Sequence, residues 1–293
     1  MLHLLLEILL DGFVIGAIFA LGAAGLTIIF GVSGVLNLCH GSIMVVGALI
    51  AWYCAVTLQV NPYLGALIGI AASIVTAYLL YFLVILPLSR SRRLSAEELP
   101  ITIFVATLLV GVILQGVLEW GFGSTPVSTP PLVHGFIRWA GVGIPVNELF
   151  LAGVAWFVLF VLWLFITRTK LGKAMLAASM SPTGLAIIGY DVERIHFLIW
   201  GIYGLLAGIA GVLLASYLGA SPDAALDLTA SAFTIVILGG LGNVPGSLAA
   251  AYILGYVGSI TAYLVSPSIR ELPGLVILVL ILYVRPQGLF GRQ

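Results

Sequence analysis

Residues 31–42 read GVSGVLNLCHGS and separate two strongly apolar runs of the chain. The polar side chains of this stretch are those of Ser33, Asn37, His40 and Ser42. Polar groups at membrane depth are costly unless they face the interior of a helical bundle or a water-filled path. The stretch therefore predicts a break between two membrane helices, with its polar side chains directed into the protein.

The composition extends this interpretation to the whole chain. Of the 293 residues, 62% are hydrophobic and 8% are charged, whereas soluble domains carry about 25% charged residues. The mean hydropathy is +1.24. Apolar spans of about 20 residues each use most of the length. We therefore expect an all-α, polytopic integral membrane bundle, with one transmembrane domain over residues 1–293 and no soluble module of useful size.

Apolar runs between polar residues, glycines and prolines mark nine candidate spans, two of them short. The spans are residues 8–30, 35–58, 62–88, 101–122, 149–167, 195–219, 226–242, 247–266 and 272–285. The first ten residues, MLHLLLEILL, lack the basic start of a cleavable signal peptide. We therefore expect residues 4–30 to be retained as the first span.

The basic residues favour one orientation of these spans. With the N-terminus outside, nine fall on the inner side: Arg90, Arg92, Arg93, Arg168, Lys170, Lys173, Arg194, Arg285 and Arg292. Only Arg138 and Arg270 fall outside. Because loops rich in Lys and Arg stay in the cytoplasm, the sequence predicts an outside N-terminus and a cytoplasmic C-terminus. A re-entrant segment at 226–242 would reduce the bias to eight against three.

Two polar segments connect the spans. Residues 123–147 are rich in proline and glycine, which predicts an irregular outer loop available to an external partner. Residues 168–194, RTKLGKAMLAASMSPTGLAIIGYDVER, begin with a helical pattern, are interrupted at Ser-Pro and end a second helical turn near Gly189. We expect this inner segment to dock a partner; a plain solvated connector is the alternative.

The 35 glycines suggest both tight packing and helix breaks. Gly201, Gly204, Gly208 and Gly211 share one helical face, which lets a second helix approach closely. Glycine is costly inside helices and proline lacks a backbone donor, so clusters of these residues predict breaks. The predicted break residues are Gly31, Gly34, Gly239, Gly240, Gly242, Pro245 and Gly246.

Several kinds of chemistry have no motif in the sequence. No G-x-x-x-x-G-K-[ST] occurs, so no ATP site of the P-loop type is expected. Neither HExxH nor paired CxxC occurs, so no catalytic metal site is expected. Cys39 and Cys54 both fall in one apolar segment, which predicts small core residues rather than a disulfide or a metal site. The net charge of zero provides no footprint for nucleic acid.

One short motif favours an enzyme. Gly31-Val32-Ser33-Gly34 matches the G-x-S-G of rhomboid-type intramembrane proteases, in which a histidine from another span activates the serine. The partner histidine is missing, because His40 is only seven residues away on the same hairpin. The match is also expected by chance in a chain so rich in glycine.

The polar residues of the spans allow two interpretations. Asn37 and His40 either line a translocation pathway or form hydrogen bonds that fix the helix break. Gln115 and Glu119 lie four residues apart near the outer end of a span and either line its entrance or bond to each other. An ion-coupled secondary transporter or channel is a further alternative, although Glu119, Asp223 and Asp227 all lie near the outer face, far from a relay through the midplane.

Four longer stretches resemble one known family. They are residues 25–49, GLTIIFGVSGVLNLCHGSIMVVGAL with its break, residues 169–195 of the inner segment, ILGGLGNVPGSLAAAYILG at 237–255 and YVRPQGLFG at 283–291. Together they resemble the permeases of branched-chain amino acid ABC importers over essentially the whole chain. The early first span is similar to that of the shorter member of the usual permease pair. Close relatives of this family carry urea or short amides instead.

The resemblance implies a set of partners. Such permeases work in the prokaryotic cytoplasmic membrane beside a second homologous permease, two P-loop ATPase subunits and an extracytoplasmic substrate-binding protein. ATP and Mg²⁺ would then be bound by the ATPase subunits, and this chain would hold no cofactor and perform no catalysis. Transport would proceed by alternating access.

The resemblance also assigns roles to particular residues. The inner segment corresponds to the coupling segment of the family, whose contacts with the ATPase would involve Gly172, Lys173, Ala178, Gly184, Ala186 and Gly189. The N-x-x-H-G of the family is present as Asn37, His40 and Gly41. The resemblance implies that these residues and Ser42 shape the translocation path where the helix breaks.

Overall fold

The computed structural model describes residues 2–91, 93–95, 97–139, 142–285 and 287–290. Twelve α-helices are formed in these ranges: α1 Leu2–Ser33, α2 His40–Trp52, α3 Pro62–Leu80, α4 Leu86–Ser89, α5 Glu98–Phe122, α6 Val146–Arg168, α7 Lys170–Met180, α8 Pro182–Ile187, α9 Val192–Tyr217, α10 Ala224–Gly239, α11 Val244–Leu264 and α12 Leu272–Val284. Short π-helices at Tyr53–Thr57 and Tyr81–Ile85 extend α2 and join α3 to α4. A 3₁₀-helix at Pro267–Ile269 precedes α12.

The predicted polytopic helical bundle is confirmed. Within the described residues, eight helical segments are long and apolar enough to cross a membrane. The predicted span at 226–242 corresponds to α10, which has 16 residues and is about 24 Å long at 1.5 Å per residue. That length is less than the roughly 30 Å of a bilayer's hydrocarbon core. Two residues of the orientation argument, Arg92 and Arg292, lie outside the described residues, as do Pro286 and Gly291 of the closing motif.

The centre of the bundle is α1, which packs against α6, α9, α10 and α11. Glycines allow the closest of these approaches. A Cβ atom on Gly255 of α11 would lie 2.8 Å from the Cα atom of Gly16 in α1. The aromatic rings of Tyr252 and Tyr256, both in α11, lie over Gly16 and Gly12 of α1, respectively. Small residues in contact therefore bring the two helix backbones together, as is common between membrane helices.

The glycine stripe of α9 lies against α3 and α2. Cβ atoms on Gly204 and Gly208 would fall 2.8 Å from the Cβ atoms of Ala77 and Ser73 in α3. A Cβ atom on Gly211 would fall 2.1 Å from the Met44 carbonyl oxygen in α2. Gly201 faces the Tyr78 hydroxyl group. All four glycines thus occupy positions where a larger residue would push a neighbouring helix away.

The periphery of the bundle is formed by α5, α6 and α12. Long apolar side chains on these helices are exposed, and the single buried residue recorded for α12 is Gly274. Such faces are suited to contact with lipid or with another membrane subunit, because either provides an apolar environment.

The outer loop contains more regular structure than the sequence suggested. The expectation of an irregular loop over residues 123–147 is wrong in part, because β1 (Phe136–Trp139) and β2 (Val142–Pro145) form an antiparallel hairpin. Val127 also pairs with Ala220 through an isolated bridge. Pairing of the two backbones explains the difference, since Phe136, Ile137 and Ile144 are aromatic or β-branched residues that favour strands.

Candidate functional site

The first helix break lies at residues 34–39. The α1 helix continues through Gly31 and ends at Ser33, so Gly31 is not the position at which the helix breaks. Gly34 adopts a left-handed backbone with φ of 64°, a conformation that glycine adopts at little cost. Among the described residues other than Gly34 and its chain neighbours, no atom lies within 4 Å of the position that a Cβ atom on Gly34 would occupy. Residues 34–37 form no regular element before α2 begins at His40.

A buried hydrogen-bond network fixes this break against α9. Asn37 and His40 are both fully buried. The Asn37 amide Nδ2 donates to the Tyr203 hydroxyl oxygen at 2.8 Å, and His40 Nδ1 lies 3.0 Å from the same oxygen. Because the hydroxyl accepts from Asn37, it can donate its own proton to His40 Nδ1, which assigns the single ring proton of a neutral His40 to Nε2. His40 Nε2 has no hydrogen-bond partner among the described residues.

The start of α2 is attached to α10 and α5. The Gly41 backbone N–H donates to the Thr229 hydroxyl at 2.9 Å, and a Cβ atom on Gly41 would lie 1.9 Å from the Ala225 carbonyl oxygen. The Ser42 hydroxyl donates to the Gly111 carbonyl at 3.1 Å. The predicted pathway residues Asn37, His40, Gly41 and Ser42 therefore form contacts between helices in this conformation. Their role in lining a pathway stays a prediction.

The second glycine cluster forms a break of its own between α10 and α11. Gly239 is the last residue of α10, and Gly240 and Gly242 adopt left-handed backbones with φ of 94° and 79°. Pro245 and Gly246 lie inside the first turn of α11, where the proline needs no donor. The Asn243 side chain caps this helix by accepting from the Gly246 N–H at 3.1 Å.

The two breaks lie side by side. A Cβ atom on Gly31 would be 3.4 Å from the Gly242 Cα atom. The Thr27 hydroxyl donates to the Ser247 hydroxyl oxygen at 2.8 Å, and both side chains are fully buried. The closing segment covers this region, because the Leu289 N–H donates to the Leu238 carbonyl at 2.8 Å. The ends of α1 and α10 and the start of α11 therefore form one unit at this face of the bundle.

The predicted pair on α5 is bonded to itself. Gln115 Nε2 donates to Glu119 Oε1 at 2.9 Å, and both side chains are half-buried. This contact corresponds to the structural alternative raised by the sequence. It leaves the proposed role at the entrance untested.

The protease motif lacks its catalytic contact. The Ser33 hydroxyl is buried without a hydrogen-bond partner among the described residues. His40 directs Nδ1 to Tyr203 instead. Ser33 and His40 therefore do not form the hydrogen bond that activates a serine nucleophile.

The inner segment forms two short helices, α7 and α8. The Thr169 and Ser181 side chains cap them by accepting from the Gly172 and Gly184 N–H groups. Ser-Pro at 181–182 ends α7 and begins α8, as the sequence predicts. The turn at the end of α8 places Gly189 at φ of 87°.

The six predicted coupling residues divide into two groups. Gly172 and Ala178 are buried, and a Cβ atom on Gly172 would lie 2.3 Å from the Phe165 carbonyl oxygen. These two residues pack within the chain and are not free to contact another protein in this conformation. Lys173, Ala186 and Gly189 are exposed and Gly184 is half-buried. Exposed apolar side chains accompany them at Met180, Ile187 and Ile188.

Sequence reasoning missed Tyr203, Thr229 and a buried charged cluster. Asp11 accepts hydrogen bonds from the side chains of Tyr217, Ser259 and Arg270. Nothing in the sequence singles out Tyr203 or Thr229, because their roles depend on contacts across more than 160 positions. Asp11 and Arg270 did carry a signal: charged side chains beside apolar spans mark functional positions.

The comparison with protein families decides the class of this chain. The family model described as the permease component of the branched-chain amino acid transport system matches residues 8–284. The chain belongs to this family. It is therefore a permease, the membrane-spanning and non-catalytic subunit of an ABC importer, and a multi-pass membrane protein.

Curated relatives agree with this assignment over nearly the whole permease. It is 25% identical to the high-affinity branched-chain amino acid transport system permease protein LivH of Salmonella typhimurium, covering 98% of this chain and 96% of LivH. It is 28% identical to BraD of Pseudomonas aeruginosa, with the same coverage. The ribose import permease protein RbsC of Escherichia coli is 25% identical over 82% of this chain and 73% of RbsC.

A solved structure shares the fold. The permease matches a chain of PsaBC from Streptococcus pneumoniae in complex with Fab, with a TM-score of 0.55 and 16% identity. The match covers 97% of this chain and 93% of the other. At this identity the similarity describes the arrangement of helices alone.

Proposed function

We propose that this permease carries branched-chain amino acids, namely leucine, isoleucine and valine, or a related small solute such as urea or a short amide. The observation that supports this substrate class is the similarity over 98% of the chain to LivH and BraD, whose names specify branched-chain amino acid transport. The ribose permease is similar over a smaller share of the chain.

The complete importer contains other subunits. A second homologous permease completes the translocation unit, two P-loop ATPase subunits bind ATP and Mg²⁺, and an extracytoplasmic substrate-binding protein delivers the solute. This chain itself holds no cofactor. The exposed apolar faces of α5, α6 and α12 provide surface that a second membrane subunit can bury.

The α7–α8 segment is the docking element for an ATPase. Its exposed apolar residues Met180, Ile187 and Ile188 lie beyond the end of α6, where lipid no longer covers them. An apolar cluster outside the bilayer favours burial against a protein. The buried Leu185 anchors α8 to the rest of the permease, so a movement of the ATPase would be passed to α9.

The orientation follows from the docking element. ATP is available in the cytoplasm, so α7–α8 lies inside, the outer loop at 123–147 lies outside and the N-terminus is outside. The solute is released by the binding protein onto the outer loops. Closure of the ATPases then moves the inner segment, and the cavity between the two permeases opens to the other side.

Reconstitution of the importer tests this function. The permease is co-purified with its homologous partner, the two ATPases and the binding protein, and ATP-dependent uptake of labelled leucine into vesicles is measured. Unlabelled isoleucine and valine should compete, whereas urea, acetamide and ribose should not. Uptake of labelled urea or acetamide without uptake of leucine would select the alternative solutes, and uptake of ribose alone would overturn the substrate class. Uptake driven by an ion gradient without ATP would favour a secondary transporter.

A further inference from the structure

The permease contains a cavity between α1, α10, α11 and α12 that none of the roles above uses. Its walls include the apolar side chains Ile15, Phe19, Leu254 and Leu275. Arg270, Glu271 and Ser231 also line it. A cavity with aliphatic walls and a few convergent polar groups is the usual form of a small-molecule site.

The chain places these charges below the surface of the bundle. After α11 ends at Leu264, residues 265–271 fold back along it, because a Cβ atom on Gly258 would touch Arg270 Cγ at 3.2 Å and the Arg270 carbonyl oxygen at 3.4 Å. Gly258 lies six residues before the end of α11, which is about 9 Å along a helix. The α12 helix then begins beside Gly258 and has only 13 residues. Short or interrupted membrane helices are typical of the solute sites of transporters.

Arg270 forms an ion pair that leaves some of its N–H donors unused. Arg270 Nη2 donates to Asp11 Oδ2 and lies 3.4 Å from the Ser259 hydroxyl. Its side chain is 18% exposed. An arginine carries five N–H donors, and among the described residues Nε and Nη1 have no acceptor. The ion pair with Asp11 therefore orients the guanidinium group without saturating it.

Only one carboxylate oxygen of the neighbouring Glu271 accepts a hydrogen bond among the described residues. Glu271 Oε2 accepts from the Ser231 hydroxyl at 3.0 Å, whereas Oε1 has no partner among the described residues. Although Arg270 and Glu271 are consecutive, the ion pairs of the described residues do not join them. Two side chains with unused hydrogen-bonding atoms thus line one cavity without pairing with each other.

We propose that this cavity binds a zwitterionic amino acid with an aliphatic side chain. Arg270 receives the α-carboxylate group, Glu271 and Ser231 receive the α-ammonium group, and the apolar walls contact the side chain. This assignment rests on the proposed function and names the chemistry by which the permease itself recognises its solute.

The site is closed in this conformation. Its free space is about 30 Å³, close to the share of one water molecule in the liquid and too small for an amino acid. The α12 helix forms one wall and contacts α11 through Gly274, whose Cβ atom would lie 2.9 Å from Leu254 Cδ2. We expect α12 to move outward when the solute enters, because Gly274 is the one buried residue of this helix within the described chain.

Protection from a thiol reagent tests the assignment directly. Leu275→Cys places a reporter thiol on the cavity wall, and Phe19→Cys provides a second one. Ser268→Cys, in the 3₁₀-helix before α12, provides an exposed control. The native cysteines are buried. The importer is reconstituted in phosphatidylcholine vesicles, because the quaternary ammonium group of this lipid has no N–H donor with which to imitate the α-ammonium group of the solute. L-leucine should slow labelling of the cavity reporters several-fold and leave position 268 unchanged. The keto acid of the same skeleton, which lacks the ammonium group, should not protect.

Glu271→Gln then tests whether the Glu271 carboxylate itself binds the solute. This variant should abolish protection and lower leucine uptake at least tenfold, whereas the binding protein should retain its affinity for leucine. Glu7→Gln, which changes a more exposed carboxylate on α1, is the matched control and should retain both. If the wild-type importer takes up no aliphatic amino acid, the proposed function fails and the site with it. If it takes up leucine while labelling and the Glu271→Gln variant are unaffected, only the site is overturned.

Discussion

The Tyr203 hydroxyl oxygen joins two residues at the first helix break to α9 by hydrogen bonds. It contacts Asn37 at 2.8 Å and His40 at 3.0 Å in a fully buried environment. Tyr203→Phe removes both contacts and leaves two buried polar groups unpaired, which costs about 1–3 kcal/mol. We expect a lower midpoint of thermal unfolding for the purified permease in detergent.

Tyr283→Phe is the matched control, because Tyr283 is 89% exposed. Its midpoint should equal that of the wild type. An unchanged midpoint for Tyr203→Phe as well would show that the network does not stabilise the break. Asn37 and His40 would then be better explained as residues of the pathway.

Gly41 tests the same region through sterics. Its added Cβ atom would lie 1.9 Å from the Ala225 carbonyl oxygen and 2.8 Å from the Thr229 backbone nitrogen. These are backbone atoms that cannot rotate away, so Gly41→Ala should cost at least the 1–3 kcal/mol that is typical of overpacking. The measurement is the yield of monodisperse permease and its midpoint of unfolding. Gly116→Ala, with open space at its Cβ position, should leave both unchanged.

At the scale of elements, the α7–α8 segment carries the clearest prediction. Ala186 is exposed on α8, so Ala186→Trp should leave the fold intact while blocking the approach of an ATPase. We expect at least a tenfold loss of leucine uptake and of substrate-stimulated ATP hydrolysis in the reconstituted importer. Glu97→Trp changes another exposed position between helices, whose side chain makes no capping hydrogen bond, and should retain both activities. Normal coupling in the Ala186→Trp variant would exclude α8 from the ATPase contact.

The helices were more predictable from the sequence than their contacts. Apolar length alone gives the spans, because the cost of an exposed backbone in hydrocarbon leaves a helix as the stable choice. The Ser-Pro boundary at 181–182 and the turn at Gly189 follow from local backbone preferences. The pairing of the two breaks through Gly31 and Gly242 depends on tertiary packing, which no local pattern encodes. The same reason hides the role of Tyr203.

Charges were located correctly along the chain but at the wrong depth. Arg270 was expected in an outer loop, whereas the fold turns it back along α11 to meet Asp11 of α1. Hydropathy cannot show such a return, because it measures the composition of a segment and not the path of the chain. The charged cavity could therefore be found only after the helices were placed.

At the scale of the whole molecule, the remaining prediction is the direction of the permease across the membrane. Ser128 lies exposed in the loop between α5 and α6, and Ser179 lies exposed near the end of α7. With an outside N-terminus, Ser128→Cys should react with a membrane-impermeant maleimide in intact cells. Ser179→Cys should react only after the membrane is permeabilised. The buried Cys39 and Cys54 provide a low background.

The two reporters test more than the charge bias of the loops. Together they decide whether α7–α8 meets ATP on the cytoplasmic side and whether the cavity at Arg270 and Glu271 lies toward the face where a binding protein delivers solute. Both assignments require the ends of α5 and α7 to lie on opposite sides of the bilayer. Labelling of Ser179→Cys in intact cells would reverse the orientation, and it would remove both the coupling role of α8 and the proposed direction of import.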